Sequence, residues 1–262
     1  MILRRPFLSL LAAAAFVLML GPVVILVGVA FTAGSTLAFP PEGLSLRWFA
    51  AALDYGPFVD SFGTSVAVAL ASTAIALLLG VPATLALHRG NPRGRRVMEN
   101  LFFAPIVVPE LVLSLALFQQ LMVGMRVTAL GALIVGHTVL LLPYTVRVVG
   151  ASLSLADARL EEAARGLGAG PVRAFFTVTL PVMAPGIVSA TILAFITSLN
   201  NVPLSLLLTG PGVATLPVEM LNYVQSSFDP VVAAVSVLLL ALSVAVAFAT
   251  ERMVGFTKVF GR

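Results

Sequence analysis

Asp157-Ala158-Arg159-Leu160-Glu161-Glu162-Ala163-Ala164-Arg165-Gly166-Leu167-Gly168-Ala169-Gly170-Pro171, running on to Leu180-Pro181, is the one long polar interruption in the second half of an otherwise apolar chain. Its spacing predicts a short amphipathic helix, a turn and a second helical segment. Ser154 or Asp157 can cap a helix start, Leu160, Ala163, Ala164 and Leu167 fall at three-and-four spacing on one face, and Gly168 supplies the left-handed residue that ends the helix. Gly170-Pro171 opens the second segment, because proline suits a first helical position where its missing N–H costs nothing. Phe175, Phe176 and Val178 give that segment an apolar side. What such a knob is for depends on what flanks it.

The flanks are lipid-like. Of 262 residues, 60% are hydrophobic and only 10% charged, against about 25% charged residues in soluble domains. Several charge-free runs exceed the ~20 residues that a bilayer-spanning helix needs, so the fold class is all-α, a polytopic membrane protein of about six spans. A membrane barrel would alternate polar and apolar residues instead. With no cysteine, disulfides, thiolate nucleophiles and cysteine metal sites are excluded. The net charge of +4 comes from scattered arginines beside apolar runs, which fits anchoring at the membrane surface and not nucleic-acid binding.

In chain order, Arg4 and Arg5 precede a first span at about Leu8 to Phe31. The start also loosely matches a twin-arginine export signal, with Gly28-Val29-Ala30 as a cleavage site, although the apolar run is long for one. Thr32 to Asp60 reads as an outside loop, in which Trp48, Phe49, Tyr55 and Phe58 form either an interfacial aromatic belt or a packed core. Ser61 to His88 makes the second span. Arg89, Arg93, Arg95 and Arg96 then crowd into one short loop, which should be cytoplasmic. Leu101 to about Met122 is a third span, broken by Pro105 and Pro109 and carrying Glu110. Thr128 to Val149 is the fourth, with His137 and Pro143 inside; Pro185 to Thr209 is the fifth, with Asn200-Asn201-Val202-Pro203 expected to bend it; and Val231 to Thr250 is the sixth. On this layout both termini are cytoplasmic and thirteen of the fifteen basic residues lie inside, with Arg47 and Arg126 outside. The whole of 1–262 is then one integral-membrane domain, with its core at about 60–250 and the polar loop at 150–182.

Glu162-Ala163-Ala164, Gly168, Val178 and Leu180-Pro181 together form an ordered pattern. It resembles the signature loop of the inner-membrane permease subunits of binding-protein-dependent type I ABC importers, with Val178 standing where isoleucine is commonest. The resemblance covers roughly residues 60 to 250. It implies a second, different permease chain, two ATPase subunits that carry the ATP and Mg, a periplasmic solute-binding protein outside, and a coupling helix in which Glu162, Ala163, Ala164, Arg165 and Gly168 meet the ATPase. The chain itself has no Gly-rich phosphate loop and its sole lysine is Lys258, so it needs no cofactor of its own and does not hydrolyse ATP. Gly136-His137, Leu142-Pro143, Asn200-Asn201, Leu208-Thr209-Gly210-Pro211 and Thr215-Leu216-Pro217 are most similar to the spermidine and putrescine permeases. Those often carry an acidic pair where Asn200-Asn201 stand, which leaves phosphonate, thiamine, ferric ion and other solutes open.

Asn200 and Asn201 either line the translocation path or join helices, since amides do both in membranes. Glu110 either lines the path or pins a helix end. His137 reads as a packed polar residue, because neither histidine has a partner at metal-ligand spacing. A membrane-embedded protease would need a nucleophile with a positioned base or paired histidines, and His88 and His137 fall on different spans. A passive channel would have no use for an ATPase-docking loop.

Overall fold

The computed structural model describes residues 4–89, 94–155, 157 and 159–254. Gly90 to Arg93 of the basic turn, Ala156 and Ala158 of the polar loop, and the tail with Lys258 and Arg262 lie outside the described residues. Regular structure among the described residues is helical, with only two isolated bridges, Thr32 to Leu44 and Gly210 to Val213. In order, the helices are α1 (Arg4–Ala30), α2 (Arg47–Asp54), α3 (Gly56–Arg89), α4 (Arg95–Val107), α5 (Glu110–Leu117), α6 (Ala129–Ser154), α7 (Arg159–Gly166), α8 (Pro171–Ala174), α9 (Leu180–Leu199), α10 (Pro203–Leu208), α11 (Leu216–Ser226) and α12 (Val231–Val254). Wider π-helical turns extend α5 (Phe118–Gly124) and join α8 to α9 (Phe175–Thr179).

Among the described residues, five helical stretches are long and apolar enough to cross a membrane: Leu8–Ala30, Gly56–Arg89, Ala129–Ser154, Pro171–Leu199 and Val231–Arg252. Four of them fall where charge-free runs predict spans. The expected third span is a pair of helices, Arg95–Val107 and Glu110–Gly124, that meet at 102°, so the number is five, or six if the pair crosses as one. The cause is local. Val108 precedes a proline and is extended (φ −76°, ψ 131°), and Pro109 itself (φ −52°, ψ 130°) has no N–H to continue the ladder. Pro105, by contrast, sits inside α4 without ending it. The fifth span also differs from expectation at both ends: it begins at Pro171 and halts at Leu199, with α10 resuming after Asn200-Asn201-Val202.

Contacts among the described residues divide the chain into two compact units. One comprises the part up to Asp60 together with Glu219–Val244. Its core packs Val29 and Ala30 against Ala233 and Ala234, while Trp48 and Phe49 close over them. The aromatic residues of the loop stack on one another, Phe31 on Phe49 at 4.9 Å and Tyr55, Phe58 and Tyr223 in a cluster at 4.7 to 5.2 Å, so packing accounts for them. Arg47 and the Trp48 indole both donate to the Gly34 carbonyl, at 2.6 and 3.1 Å. Along α1, Leu18 is 79% exposed and its neighbours nearly as much, a surface that only a non-aqueous surrounding tolerates.

The second unit, Ser61–Val218 with the stretch from Ala245, is built on α6 lying along α9, with α3 and the α5 and α10 segments packed around them. Small residues set the spacing. A Cβ on Gly150 of α6 would stand 2.8 Å from His88 Cε1, so this glycine lets the last turn of α3 lie directly on α6.

Candidate functional site

The polar loop folds as its residues dictate. The Asp157 carboxylate accepts the Arg159 N–H at 2.9 Å and starts α7, whereas the Ser154 hydroxyl donates back to Ala151 O at 2.9 Å, so Asp157 is the cap. Glu161 and Glu162 occupy the first turn and Arg165 the last, each at the end of the helix whose dipole favours it. At the far end the Ala169 N–H bonds Ala164 O and the Gly168 N–H bonds Arg165 O, both at 3.0 Å, with Gly168 at φ +91°. That pairing of a long and a short bond around a left-handed glycine is the Schellman closure. Pro171 then opens α8 on the extended Gly170, as its spacing predicts.

The apolar face that spacing predicts on α7 is not used inside the chain. Leu160 is 50% and Leu167 90% exposed, Ala163 is exposed, and Leu155, Val172 and Phe176 extend the apolar surface to either side. Glu162 and Arg165 stand exposed at its edge, and Ala164 is half-buried. Glu161, which the motif does not single out, is the acidic residue drawn inward. It forms an ion pair with Arg89, the last residue of α3, and accepts the Thr179 hydroxyl at 2.7 Å; Arg89 donates to the same hydroxyl at 2.9 Å. Arg165 Nε stands 3.9 Å from the other Glu161 oxygen. Glu161 and Ala164, three apart, share the inward side and Glu162 lies about 100° round from it, but helical spacing alone does not say which side turns inward.

A second constellation forms where two helices are broken. Glu110 is the first residue of α5, just past the Val108-Pro109 bend, and the Asn201 side-chain N–H donates to its carboxylate. The Asn201 carbonyl oxygen accepts the Leu204 N–H at 3.0 Å, capping α10. Asn200 does neither; it is exposed and its amide donates to Ile196 O at 2.9 Å, finishing α9. The adjacent amides thus separate, and only Asn201 joins Glu110. His137, fully buried on α6, spans the same break, its Nδ1 2.7 Å from Ser198 Oγ in the last turn of α9 and its Nε2 3.1 Å from Ser205 Oγ in α10. Ser72 of α3 joins through Ser198 at 3.3 Å. Serine hydroxyls donate or accept, so an imidazole with one N–H is satisfied at both nitrogens. Ser198 and Ser205 carry no sequence signal beyond their placement on either side of Asn201, because serines are common packing residues in spans.

Several apolar helices exposed along their length, and a buried polar junction at two helix breaks, define a multi-pass membrane protein. The family model described as "Binding-protein-dependent transport system inner membrane component" matches residues 76–255, and the chain belongs to that family. It is therefore a permease subunit of an ABC importer, a multi-pass membrane protein. It is 29% identical over 248 residues to the putrescine transport system permease protein PotI of Escherichia coli K12, covering 91% of this chain and 87% of that one. To the spermidine/putrescine permease PotC of the same strain it is 26% identical over 250 residues, 95% and 93% of the two chains. To the molybdenum permease ModB of Mycobacterium bovis it is 37% identical over 193 residues, 68% and 72%. Among solved structures, a chain of a bacterial ABC transporter for the acidic polysaccharide alginate superposes with a TM-score of 0.71 at 17% identity, over 93% of this chain and 94% of that one. A chain of the inward-facing methionine transporter MetNI gives 0.65 at 24%, over 75% and 94%. These share the fold.

Proposed function

We propose that this chain forms half of a solute pathway in the bacterial inner membrane, paired with a different permease chain and driven by two separate ATPase subunits that bind the ATP and Mg, while a periplasmic receptor delivers the solute. In this reading α7 is the coupling helix, and the basic turn after α3 and both termini face the cytoplasm. Hydrolysis belongs wholly to the partner subunits. The observation that carries the reading is a helix closed at both ends by its own residues, capped by Asp157 and ended at Gly168, that still leaves Leu160, Ala163 and Leu167 exposed. Such an apolar face marks a docking surface. Ala163 and Ala164 permit close approach, Glu162 and Arg165 make charged contacts at the rim, and closure of the ATPase pair moves α7 as a rigid body to give alternating access.

The solute we favour is a small organic cation of the polyamine kind, passing the Glu110–Asn201 junction with Asn200 beside it. Among the described residues no arginine or lysine pairs with Glu110. A carboxylate at a break within apolar sequence is costly unless a cation meets it, and an ammonium group fits that need. PotI and PotC, whose names are those of polyamine systems, support the same choice. The similarity to ModB supports a second reading, an oxyanion bound by the amides. Proteoliposomes holding the full complex separate the two. Labelled putrescine should enter on ATP addition and Glu110→Gln should raise its KM about tenfold, the loss of roughly one ammonium contact; molybdate uptake indifferent to Glu110→Gln would favour the oxyanion.

A further inference from the structure

The coupling helix is joined by covalent chain to α6 on one side and, through α8, to α9 on the other. Nothing in the sequence order connects it to α3, whose last residue lies far upstream. Yet α3 ends against α7 in a three-way contact: Arg89 and Glu161 as an ion pair, with the Thr179 hydroxyl, 1% exposed, bonded to both at 2.9 and 2.7 Å. The pair is shielded, with the Arg89 side chain 29% and that of Glu161 20% exposed, so water and salt screen it less than a surface pair. Each charge also sits at the end of its own helix where the dipole favours it, Arg89 at the C-terminus of α3 and Glu161 in the first turn of α7. Next to Arg89, His88 lies on Gly150 of α6, so the end of α3 has a firm seat.

We propose that Arg89, Glu161 and Thr179 form a positioning clamp that couples α3 to the movement of α7, so that a push on the knob shifts three spans, α3, α6 and α9, and not only the two to which it is chemically bonded. This rests on α7 being the ATPase-docking helix. Glu161 touches neither solute nor nucleotide; it acts by fixing where α7 stands.

The test uses the reconstituted complex of both permease chains, ATPase subunits and receptor, and reads solute moved per ATP hydrolysed. A cross-link from Ala169→Cys to the ATPase subunit, in the same preparations, reports docking. With the cross-link intact, Glu161→Gln and Arg89→Gln should each lower the ratio about tenfold, a coupling loss of ordinary size. Thr179→Val should lower it less, and the exchange Arg89→Glu with Glu161→Arg should recover part of the loss. Wild-type ratios in both single variants would overturn the clamp, as would an exchange that restores nothing. Failure of the Ala169→Cys cross-link in the otherwise unaltered complex would instead strike the docking assignment.

Discussion

Asn201 performs two tasks at once, its oxygen capping α10 through the Leu204 N–H and its nitrogen meeting Glu110, whereas Asn200 is exposed and bonds only its own helix. Replacing Asn201 with alanine removes a cap, which costs about 1 kcal/mol, and also leaves the half-buried Glu110 carboxylate without its donor. Asn200→Ala touches an exposed position and should stay within about 0.5 kcal/mol of the parent. Thermal unfolding of the detergent-solubilised complex checks this: the two variants should differ clearly, and equal shifts would contradict the assignment of separate roles. Both asparagines were visible in the sequence as polar residues inside a span; their division of labour was not, because it depends on where α5 ends up.

At the scale of the element, α7 shows what local chemistry decides. Asp157, Gly168 and Gly170-Pro171 each act within a few residues of themselves, so the stop and the restart are legible in the sequence and the cap is narrowed to Ser154 or Asp157. Gly168 at φ +91° is the sensitive point, since a β-branched residue in left-handed backbone costs roughly 1–2 kcal/mol. Gly168→Val should therefore re-aim the knob, abolishing uptake while membrane insertion persists; uptake assays beside a membrane-fraction blot test it, and unchanged transport would count against the coupling role. Leu167→Asp leaves the backbone untouched but puts a charge on a residue 90% exposed, and should weaken ATPase binding in pull-downs with little change in melting temperature. Which of Glu161 and Glu162 turns inward was not legible, because adjacent helical residues differ only by rotation and the choice is made by Arg89 and Thr179 from distant parts of the chain. The 102° bend was half legible: Pro109 forecasts a break, and the packing of α5 on α10 sets its angle.

For the whole molecule, composition alone separates a membrane chain from a soluble one, because a fold this poor in charge has no way to cover its apolar helices with polar side chains. Charge-free length then locates the spans: four of the six expected lie where it places them, the third is a bent pair and the fifth is shifted towards the N-terminus. The orientation we propose rests on arginine placement, a statistical pull on insertion that leaves no mark on the folded helices. The central claim is that α7 faces the cytoplasm as a handle for separate ATPase subunits. Its most direct measurement is labelling of Ala169→Cys, in a chain otherwise without cysteine, by a membrane-impermeant maleimide. In intact spheroplasts the residue should be protected, and it should react only after permeabilisation; reaction in intact spheroplasts would place the knob on the wrong side of the membrane and contradict the account.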